Sequence, residues 1–320
     1  MTTISLVDPA ARTMAAAFAA FDPTSQSIEE YRSSLGAAMS LAGTGDRTNL
    51  EERWVPGSGD QPDVRVLLYR PNGGMADAPA ILFIHASGYI AGKPDWMAEA
   101  NQALANAQGA IVVAVNYRLA PETAFPGPLE DCYVALRWLI ENSAELGVDR
   151  ARIVVMGESA GGGLAAALAL LVRDRQGITL AGQVLVYPML DPRTGTSQAP
   201  VENPTTGEFV WTRGHNRFGW NAMRGAAEIP AERLVYFAPA LASDLSGLPP
   251  AFLAVGALDL FVDETADYAL RLGRAAVSVE FHLYPGGIHG FDLTSSRIAG
   301  QYKAVLAAAL EQMLACQTVA

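Results

Sequence analysis

The stretch "RIVVMGESAGGGLAAALALLV", Arg152 to Val172, carries the pattern that decides the fold. A short apolar run rich in Val and Ile leads directly into the residues G-E-S-A-G at 157–161, and a long run of Ala and Leu follows. This is G-x-S-x-G between a buried strand and a helix, where the glycines allow a sharp turn that lifts a strained Ser hydroxyl above the sheet. The pattern predicts that Ser159 is a nucleophile. The alternative is that Ser159 only caps the following helix, a role for which serine is well suited.

Similar apolar runs recur along the chain, bounded by Gly, Pro, Asn or Asp, and they predict further strands. Most of them lack polar alternation, which is typical of parallel strands covered on both faces by helices. Segments with helical spacing lie between them, so the sequence predicts an α/β protein. The predicted strands are Val64–Tyr69, Ile81–His85, Ile111–Asn116, Ile153–Met156, Val184–Tyr187, Phe252–Val255 and Val277–Tyr284, and the predicted helices are Trp96–Ala107, Pro126–Glu145, Ala160–Arg175, Asp263–Ala275 and Ile298–Cys316.

Two regions interrupt the alternation of strands and helices. Residues 1–45 look helical but precede the first strand, and residues 192–248 place polar and aromatic residues between two core strands. Long insertions at one end of a sheet often form lids or binding walls. We therefore predict one catalytic domain, residues 46–191 and 249–320, covered by a cap built from the other two regions.

Composition and charge exclude several classes of function. Half of the 320 residues are apolar, which suits one large buried core. The formal charge of −11 argues against nucleic-acid and anionic-membrane surfaces, because these need clustered Lys and Arg. The longest clean apolar run, Leu164–Val172, is too short to span a bilayer. We expect a small-molecule partner.

Cysteine usage and the first residues indicate the compartment. Cys132 and Cys316 are the two cysteines of the sequence, too few for a disulfide framework. The N-terminal stretch lacks a basic start and contains Asp8, Pro9 and Arg12, which argues against a signal peptide. A reducing, cytoplasmic location is predicted.

A serine hydroxyl is a weak nucleophile unless a neighbouring imidazole takes its proton, and the chain contains four histidines. In a parallel sheet, catalytic side chains collect beyond the carboxyl ends of the strands. His289 meets this condition, because it lies in the glycine-rich loop "YPGGIHGF" after the last predicted strand. His85 precedes another loop, and His215 and His282 are interpreted as surface or core residues.

An acidic residue should orient the imidazole. In this architecture the chain order is Ser, then Asp or Glu, then His, so the acid is expected after the strand that precedes the last predicted strand. Asp259 and Asp263 compete for this role in "LDLFVDE". Asp259 lies nearer the strand end, whereas Asp263 resembles a helix start, where a carboxylate offsets the dipole. We favour Asp259.

At this point the chain resembles the hormone-sensitive-lipase-like group of α/β-hydrolase carboxylesterases, also called bacterial family IV. The resemblance extends from about Asn49 to the C-terminus. It rests on motifs in the order of that family: "HASG" at 85–88, "YRLAPE" at 117–122 with "FP" at 125–126, "GESAGG" at 157–162, "YPMLD" at 187–191, "LDLFVDE" at 258–264 and "IHGF" at 288–291.

The resemblance implies an α/β-hydrolase fold: an eight-stranded, mostly parallel sheet flanked by helices, with one antiparallel strand near the start and a helical cap. The segment around Leu50 to Val55 is expected to supply the extra first strand. The resemblance also carries over Ser159, Asp259 and His289 as a catalytic triad. It implies hydrolysis of short- to medium-chain carboxylic esters with no metal or organic cofactor, and a homodimer.

The family usually has His-Gly-Gly-Gly where this chain has "HASG" at 85–88. By the resemblance, the backbone N–H groups of Ser87, Gly88 and Ala160 form the oxyanion hole. These donors are main-chain atoms, so a side chain removes none of them. We expect ordinary backbone angles at Ala86 and Ser87, since a positive φ costs of order 1 kcal/mol at a non-glycine residue. The two side chains add bulk near the scissile carbonyl, so esters of tertiary alcohols are expected to be poor substrates; the alternative is that both side chains point away from it and change nothing.

Aromatic residues near the loop and in the insertion are candidates for the substrate pocket. Tyr89, Trp211, Phe218 and Trp220 are predicted to line it, with packing inside the cap as the alternative role. Two other functions remain open. One is amide, lactone or carbonate hydrolysis by the same triad, and the other is ligand binding without catalysis, which requires a missing triad member.

Overall fold

The computed structural model describes residues 2–40, 50–57, 59, 61–74 and 76–315. Within these residues, eight strands form a single sheet in the order β1-β2-β4-β3-β5-β6-β7-β8. The strands are β1 (Leu50–Val55), β2 (Val64–Tyr69), β3 (Ala78–Ile84), β4 (Ile111–Val115), β5 (Val148–Glu158), β6 (Gly182–Val186), β7 (Ala251–Gly256) and β8 (Val279–Tyr284).

Strand direction follows the expected pattern. β2 runs antiparallel to both of its neighbours, β1 and β4, and the other adjacent strands pair in parallel. The prediction of an eight-stranded, mostly parallel sheet with an extra first strand at Leu50–Val55 is therefore confirmed.

Helices flank the sheet. The predicted helix Pro126–Glu145 is in fact two, because the chain turns at Asn142, whose side chain and backbone N–H both donate to the carbonyl of Trp138. The helices are α1 (Arg12–Phe18), α2 (Ile28–Ser40), α3 (Ala98–Gln108), α4 (Gly127–Glu141), α5 (Ser143–Leu146), α6 (Ala160–Arg175), α7 (Arg213–Arg224), α8 (Leu234–Phe237), α9 (Val262–Arg274) and α10 (Arg297–Leu314), and Cys316 lies outside the described residues.

The core has a layer on each face of the sheet, because successive strand side chains point to opposite faces. In β3, Leu82 and Ile84 pack into one layer, and Ile81 and Phe83 pack into the other. The first 13 residues of α6 are buried throughout, between the sheet and other helices. Each fully buried Leu or Ile side chain contributes roughly 1.5–3 kcal/mol. No helix in the described ranges is long and apolar enough to cross a membrane.

Strand register brings the predicted site residues together. Ile84 of β3 pairs with Gly157 of β5, so the loop that starts at His85 lies beside Ser159. Gly256 of β7 pairs with Tyr284 of β8, so the loops that follow these two strands emerge side by side. Since all four strands run in parallel, their loops meet at one edge of the sheet.

Helix α2 ties the N-terminal segment to the loops above the sheet. Arg32 donates to the carbonyls of Ile90 (2.6 Å) and Ala120 (2.9 Å), and it forms an ion pair with Glu122 at 2.7 Å. The predicted N-terminal cap region, 1–45, includes residues beyond 40 that lie outside the described part of the chain. The division into cap and catalytic domain stays a prediction.

Candidate active site

The backbone turn at Ser159 is strained, as the G-x-S-x-G sequence predicts. Ser159 has φ 54° and ψ −119°, an unusual backbone conformation for a non-glycine residue. A Cβ on Gly157 would lie 2.1 Å from the carbonyl oxygen of Gly161, and one on Gly161 would lie 2.1 Å from that of Ile84. Ser159 occupies the N-cap position of α6, but its hydroxyl makes no capping hydrogen bond. The capping alternative is therefore wrong, and the hydroxyl is free for another partner.

That partner is His289. The Nε2 of His289 lies 2.9 Å from the Oγ of Ser159, and its Nδ1 lies 2.8 Å from the Oδ2 of Asp259. Ser159 and Asp259 are 1% exposed and His289 is 7% exposed, so little water competes for these hydrogen bonds. Asp259 also accepts from the N–H of Phe261 (2.9 Å). A carboxylate at Nδ1 favours the tautomer that carries the proton there, which leaves Nε2 able to accept the serine proton.

The competing acid and two of the other histidines lie elsewhere. Asp263 accepts from the side chain of Asn203 at 2.9 Å. In α7, the Nδ1 of His215 lies 3.2 Å from the carbonyl oxygen of Val210, and in β8 the Nε2 of His282 lies 2.6 Å from a carboxylate oxygen of Glu280. The placement of His289 and Asp259 thus agrees with the ranking made from the sequence.

His85 supports the loop beside Ser159 and lies behind it. The Nδ1 of His85 is 2.8 Å from the carbonyl oxygen of Ala86, and its ring stacks on Tyr117 at 4.2 Å between centroids. The hydroxyl of Tyr117 donates to the carbonyl of His85 (3.0 Å). Burial lowers the pKa of His85 to about 4, so the imidazole stays neutral at neutral pH.

The loop after His85 departs from the expected backbone angles. Ala86 has a negative φ as expected, but Ser87 has φ 116°, and Tyr89 has φ 68°. The prediction of ordinary angles at Ser87 is therefore wrong. Local contacts accompany the strained conformation: the Ser87 hydroxyl lies between the carbonyl oxygens of Ala86 and Ala91, to either of which its one hydrogen can be donated, and the Tyr89 carbonyl accepts from the N–H of Ala120. Such strain costs of order 1–3 kcal/mol and persists where several contacts fix it.

Three backbone N–H groups around Ser159 are unused. In the part of the chain that the structure describes, the N–H groups of Ser87, Gly88 and Ala160 donate no hydrogen bond to protein. Ala160 begins α6, and the dipole of a helix start favours negative charge nearby. The three predicted oxyanion donors are thus free to bind a negatively charged oxygen.

The insertion at 192–248, which is predicted to form part of a cap, packs directly on this loop. The indole of Trp211 lies across Gly88 (φ 65°), so closely that a Cβ there would be 2.0 Å from its Cη2 atom. The Trp211 Nε1–H donates to the side chain of Asn216 (3.2 Å), and a Cβ on Gly219 of α7 would lie 2.7 Å from the carbonyl oxygen of Gly88. Glycine is therefore required at position 88 for two reasons: its φ is positive, and the Trp211 indole approaches it too closely for a side chain.

Replacing Gly88 with Ala should lower kcat for ester hydrolysis by roughly 10²–10³-fold, because the new methyl group collides with Trp211 and moves a predicted oxyanion donor. The measurement is steady-state turnover of p-nitrophenyl acetate. Gly300→Ala is the matched control, since a Cβ at Gly300 of α10 has no atom within 4 Å. Equal kcat for Gly88→Ala and wild type would contradict the assigned role of the loop.

A cavity of about 120 Å³ opens at Ser159 and His289. The N-terminal segment supplies much of its apolar wall, through Phe18, Phe21 and Tyr31. These residues were not predicted as pocket residues, although the spacing of Met14, Phe18 and Phe21 in the sequence, typical of one apolar helix face, offered a signal.

Of the four aromatic residues predicted to bind substrate, Trp211 lines this cavity. Tyr89 and Trp220 are packed behind it, with ring centroids 5.3 Å apart, and the Tyr89 hydroxyl donates to the carbonyl of Met189 (3.2 Å). Phe218 packs against the core. The substrate contacts of these residues stay predictions.

Comparisons with known proteins agree with this fold and site. A family model described as "alpha/beta hydrolase fold" matches residues 81–293. Carboxylesterase NlhH of Mycobacterium tuberculosis is 36% identical over 250 residues, which cover 76% of this chain and 75% of that protein. Ethyl acetate hydrolase of Pseudomonas putida is 33% identical, covering 74% and 78%. A solved structure described as "Bacterial Heroin Esterase" superposes with a TM-score of 0.88 at 33% identity, over 98% of this chain and 100% of that one.

The chain therefore belongs to the alpha/beta hydrolase family. Within that family it is a member of the hormone-sensitive-lipase-like group, bacterial family IV, and it is a carboxylic ester hydrolase.

Proposed function

We propose that the chain hydrolyses esters of short acyl chains through an acyl-enzyme on Ser159. The observation that carries this proposal is the hydrogen-bonded series Ser159–His289–Asp259, which lies beside three unused backbone donors. In this role His289 takes the proton of Ser159 as the hydroxyl oxygen attacks the ester carbonyl, and it then gives that proton to the departing alcohol. Asp259 holds the tautomer and stabilises the imidazolium.

The negative charge of the tetrahedral intermediate falls on the former carbonyl oxygen. The N–H groups of Ser87, Gly88 and Ala160 are the proposed donors to it, and each such donor contributes roughly 3–4 kcal/mol to lowering the barrier. In the second half of the reaction, His289 takes a proton from water, and the hydroxide attacks the acyl-enzyme. The acid leaves and Ser159 regains its proton.

The size and chemistry of the cavity support short acyl groups. Its volume of about 120 Å³ holds roughly four groups of the size of water. Its aromatic wall suits apolar chains.

Amides, lactones and carbonates are the second candidate substrates, since they use the same triad. The non-catalytic alternative requires a missing triad member, and all three residues are in hydrogen-bonding positions. The cytoplasmic location and the homodimer stay predictions.

A panel of p-nitrophenyl esters tests the proposed acyl selectivity. We expect kcat/KM to be highest for acetate to butyrate and at least about ten-fold lower for octanoate, because added methylenes exceed the cavity. Equal or higher kcat/KM for octanoate and longer esters would contradict the assigned cavity.

A separate pair of alkyl esters, tert-butyl acetate and ethyl acetate, tests the selectivity for the alcohol. Ala86 and Ser87 are among the residues that line the cavity, so we expect the tertiary ester to react at least about 100-fold more slowly. Similar rates for the two acetates would show that these side chains do not exclude tertiary alcohols.

A further inference from the structure

A strained turn in the insertion at 192–248 places the indole of Trp211. The N–H of Trp211 donates to the carbonyl of Phe209 at 2.7 Å, which closes a γ-turn around Val210. Val210 has φ 62°, which is an outlier for a β-branched residue. Strain of this kind persists only where the surrounding structure fixes it, and it clusters at functional sites. The strain at Val210 therefore points to a role for the indole that follows it.

Hydrogen bonds hold the indole from the side of the core. The Trp211 Nε1–H donates to the Oδ1 of Asn216 (3.2 Å), and the amide of this fully buried Asn donates to the carbonyl of Thr194 (2.8 Å). The Thr194 hydroxyl in turn donates to the carboxyl group of Glu264 in α9. A Cβ on Gly219 would lie 3.4 Å from the Cζ2 of Trp211, so α7 packs closely against the ring. These contacts fix the orientation of the indole.

Trp211 lies beside both groups that would hold the reacting oxygens of an ester. Its indole lies across Gly88, where an added Cβ would be 2.0 Å from Cη2. Its ring centroid is 6.3 Å from that of His289, with the planes inclined by 35°. In the proposed reaction the oxyanion is about 3 Å from the N–H of Gly88, and the oxygen of the departing alcohol is about 3 Å from the Nε2 of His289. The alcohol group of the ester is therefore placed next to the indole.

We propose that the Trp211 indole is a specificity-determining platform for the alcohol group of the ester, and that it selects flat aromatic alcohols over saturated ones of equal size. The substrate class is thus esters of short acids with aryl or arylmethyl alcohols. This inference rests on the proposed hydrolysis at Ser159.

The chemistry of the cavity fits such an alcohol. Two aromatic rings attract each other beyond the effect of the area that they bury. Trp211 lines the cavity together with Phe18 and Phe21, so an aromatic alcohol has aromatic neighbours besides the indole. The cavity has a volume of about 120 Å³, and in so small a space a flat ring fits against the indole more closely than a puckered ring of saturated carbons.

Benzyl acetate and cyclohexylmethyl acetate form the test pair. The two esters share the acetyl group, and both alcohols are primary with the same number of carbons, so the pair compares a flat ring with a puckered one. We expect kcat/KM of wild type to be roughly three- to ten-fold higher for benzyl acetate, which is the range that aromatic pairing contributes. The measurement is the release of acetic acid, followed by titration at constant pH.

Trp211→Leu should reduce this ratio to about two or less, because an aliphatic side chain offers no aromatic face. A merely structural role would lower kcat/KM for both esters alike and leave their ratio unchanged. Trp211→Phe keeps an aromatic face and should retain a ratio above that of Trp211→Leu. Trp54→Leu is the matched control, since it makes the same chemical change at a side chain of β1 that is 61% exposed, and it should keep the wild-type ratio.

Ethyl phenylacetate and ethyl cyclohexylacetate carry the same two rings on the acyl group. The ratio of their kcat/KM values should be the same in wild type and Trp211→Leu. The proposal would be overturned by a ratio near one for the alcohol pair in wild type, by a ratio that Trp211→Leu leaves unchanged, or by a loss of discrimination in the acyl pair instead of the alcohol pair.

The wild-type comparison of the two pairs needs no variant, so it remains decisive if Trp211→Leu fails to fold. Failure of the proposed function is a different result: in that case wild type hydrolyses benzyl acetate no faster than Ser159→Ala.

Discussion

Replacement of Ser159 by Ala is expected to lower kcat for ester hydrolysis by roughly 10⁴-fold or more, while leaving the fold intact. The hydroxyl is the attacking atom, and without it only the oxyanion donors and substrate binding remain to accelerate attack by water. The hydroxyl makes no capping bond to α6, so its removal costs that helix nothing. The measurement is kcat for p-nitrophenyl acetate in purified wild type and variant, with thermal unfolding as the check on the fold.

An unchanged kcat in Ser159→Ala would contradict the assignment of the nucleophile. A large loss of kcat together with a large drop in unfolding temperature would instead point to a structural role. Gly300→Ala serves again as the control for handling, since a Cβ at Gly300 has no atom within 4 Å and the added methyl group meets open space.

Asp259→Asn is expected to lower kcat by roughly 10⁴-fold. An Asn amide at the position of the carboxylate donates to Nδ1 of His289, so the imidazole carries its proton on Nε2 and cannot accept one from Ser159. The variant keeps the geometry of the three residues, but the His289 imidazole carries its proton on the wrong nitrogen. The measurement is kcat against pH with the same ester.

Asp263→Asn is the matched control, because it makes the same chemical change four residues away. Asp263 lies in the first turn of α9 and accepts from Asn203. Its kcat should stay within about three-fold of wild type, since Asp263 does not bond to His289 and a part-buried hydrogen bond of this kind contributes only about 1 kcal/mol. A larger loss in Asp263→Asn than in Asp259→Asn would reverse the choice between the two acids.

The fold was predictable because local sequence and tertiary structure agree. The apolar runs became strands β2 to β8, and the strand–turn–helix context of Ser159 is observed. The start of β5 was missed: the structure extends this strand back to Val148 through "DRAR" at 149–152. The charged residues in this segment do not give the apolar pattern of a buried strand. The strand forms there because Val148 pairs with Ala78, and a local sequence pattern does not reveal such pairing.

The residues of the site could be predicted from the sequence, whereas the backbone conformation of the loop beside Ser159 could be predicted less well. Chain order and placement at strand ends selected His289 and Asp259 from few candidates. The positive φ of Ser87 could not be predicted, because it depends on hydrogen bonds from its own hydroxyl and on a loop held by distant residues. One of these is Arg32, whose side chain donates to the carbonyl of Ile90 from 58 residues away. The part of the cavity wall that the N-terminal segment supplies also depends on contacts between residues far apart in the sequence.

Covalent labelling of the intact protein tests the central claim most directly. The enzyme is treated with an ethyl p-nitrophenyl alkylphosphonate, which transfers its phosphonyl group to an activated serine, and the product is digested and analysed by mass spectrometry. The account predicts one adduct per chain on the peptide that contains Ser159, formed in step with the loss of activity and absent from Ser159→Ala. Loss of activity with no adduct, or with an adduct on another residue, would contradict it.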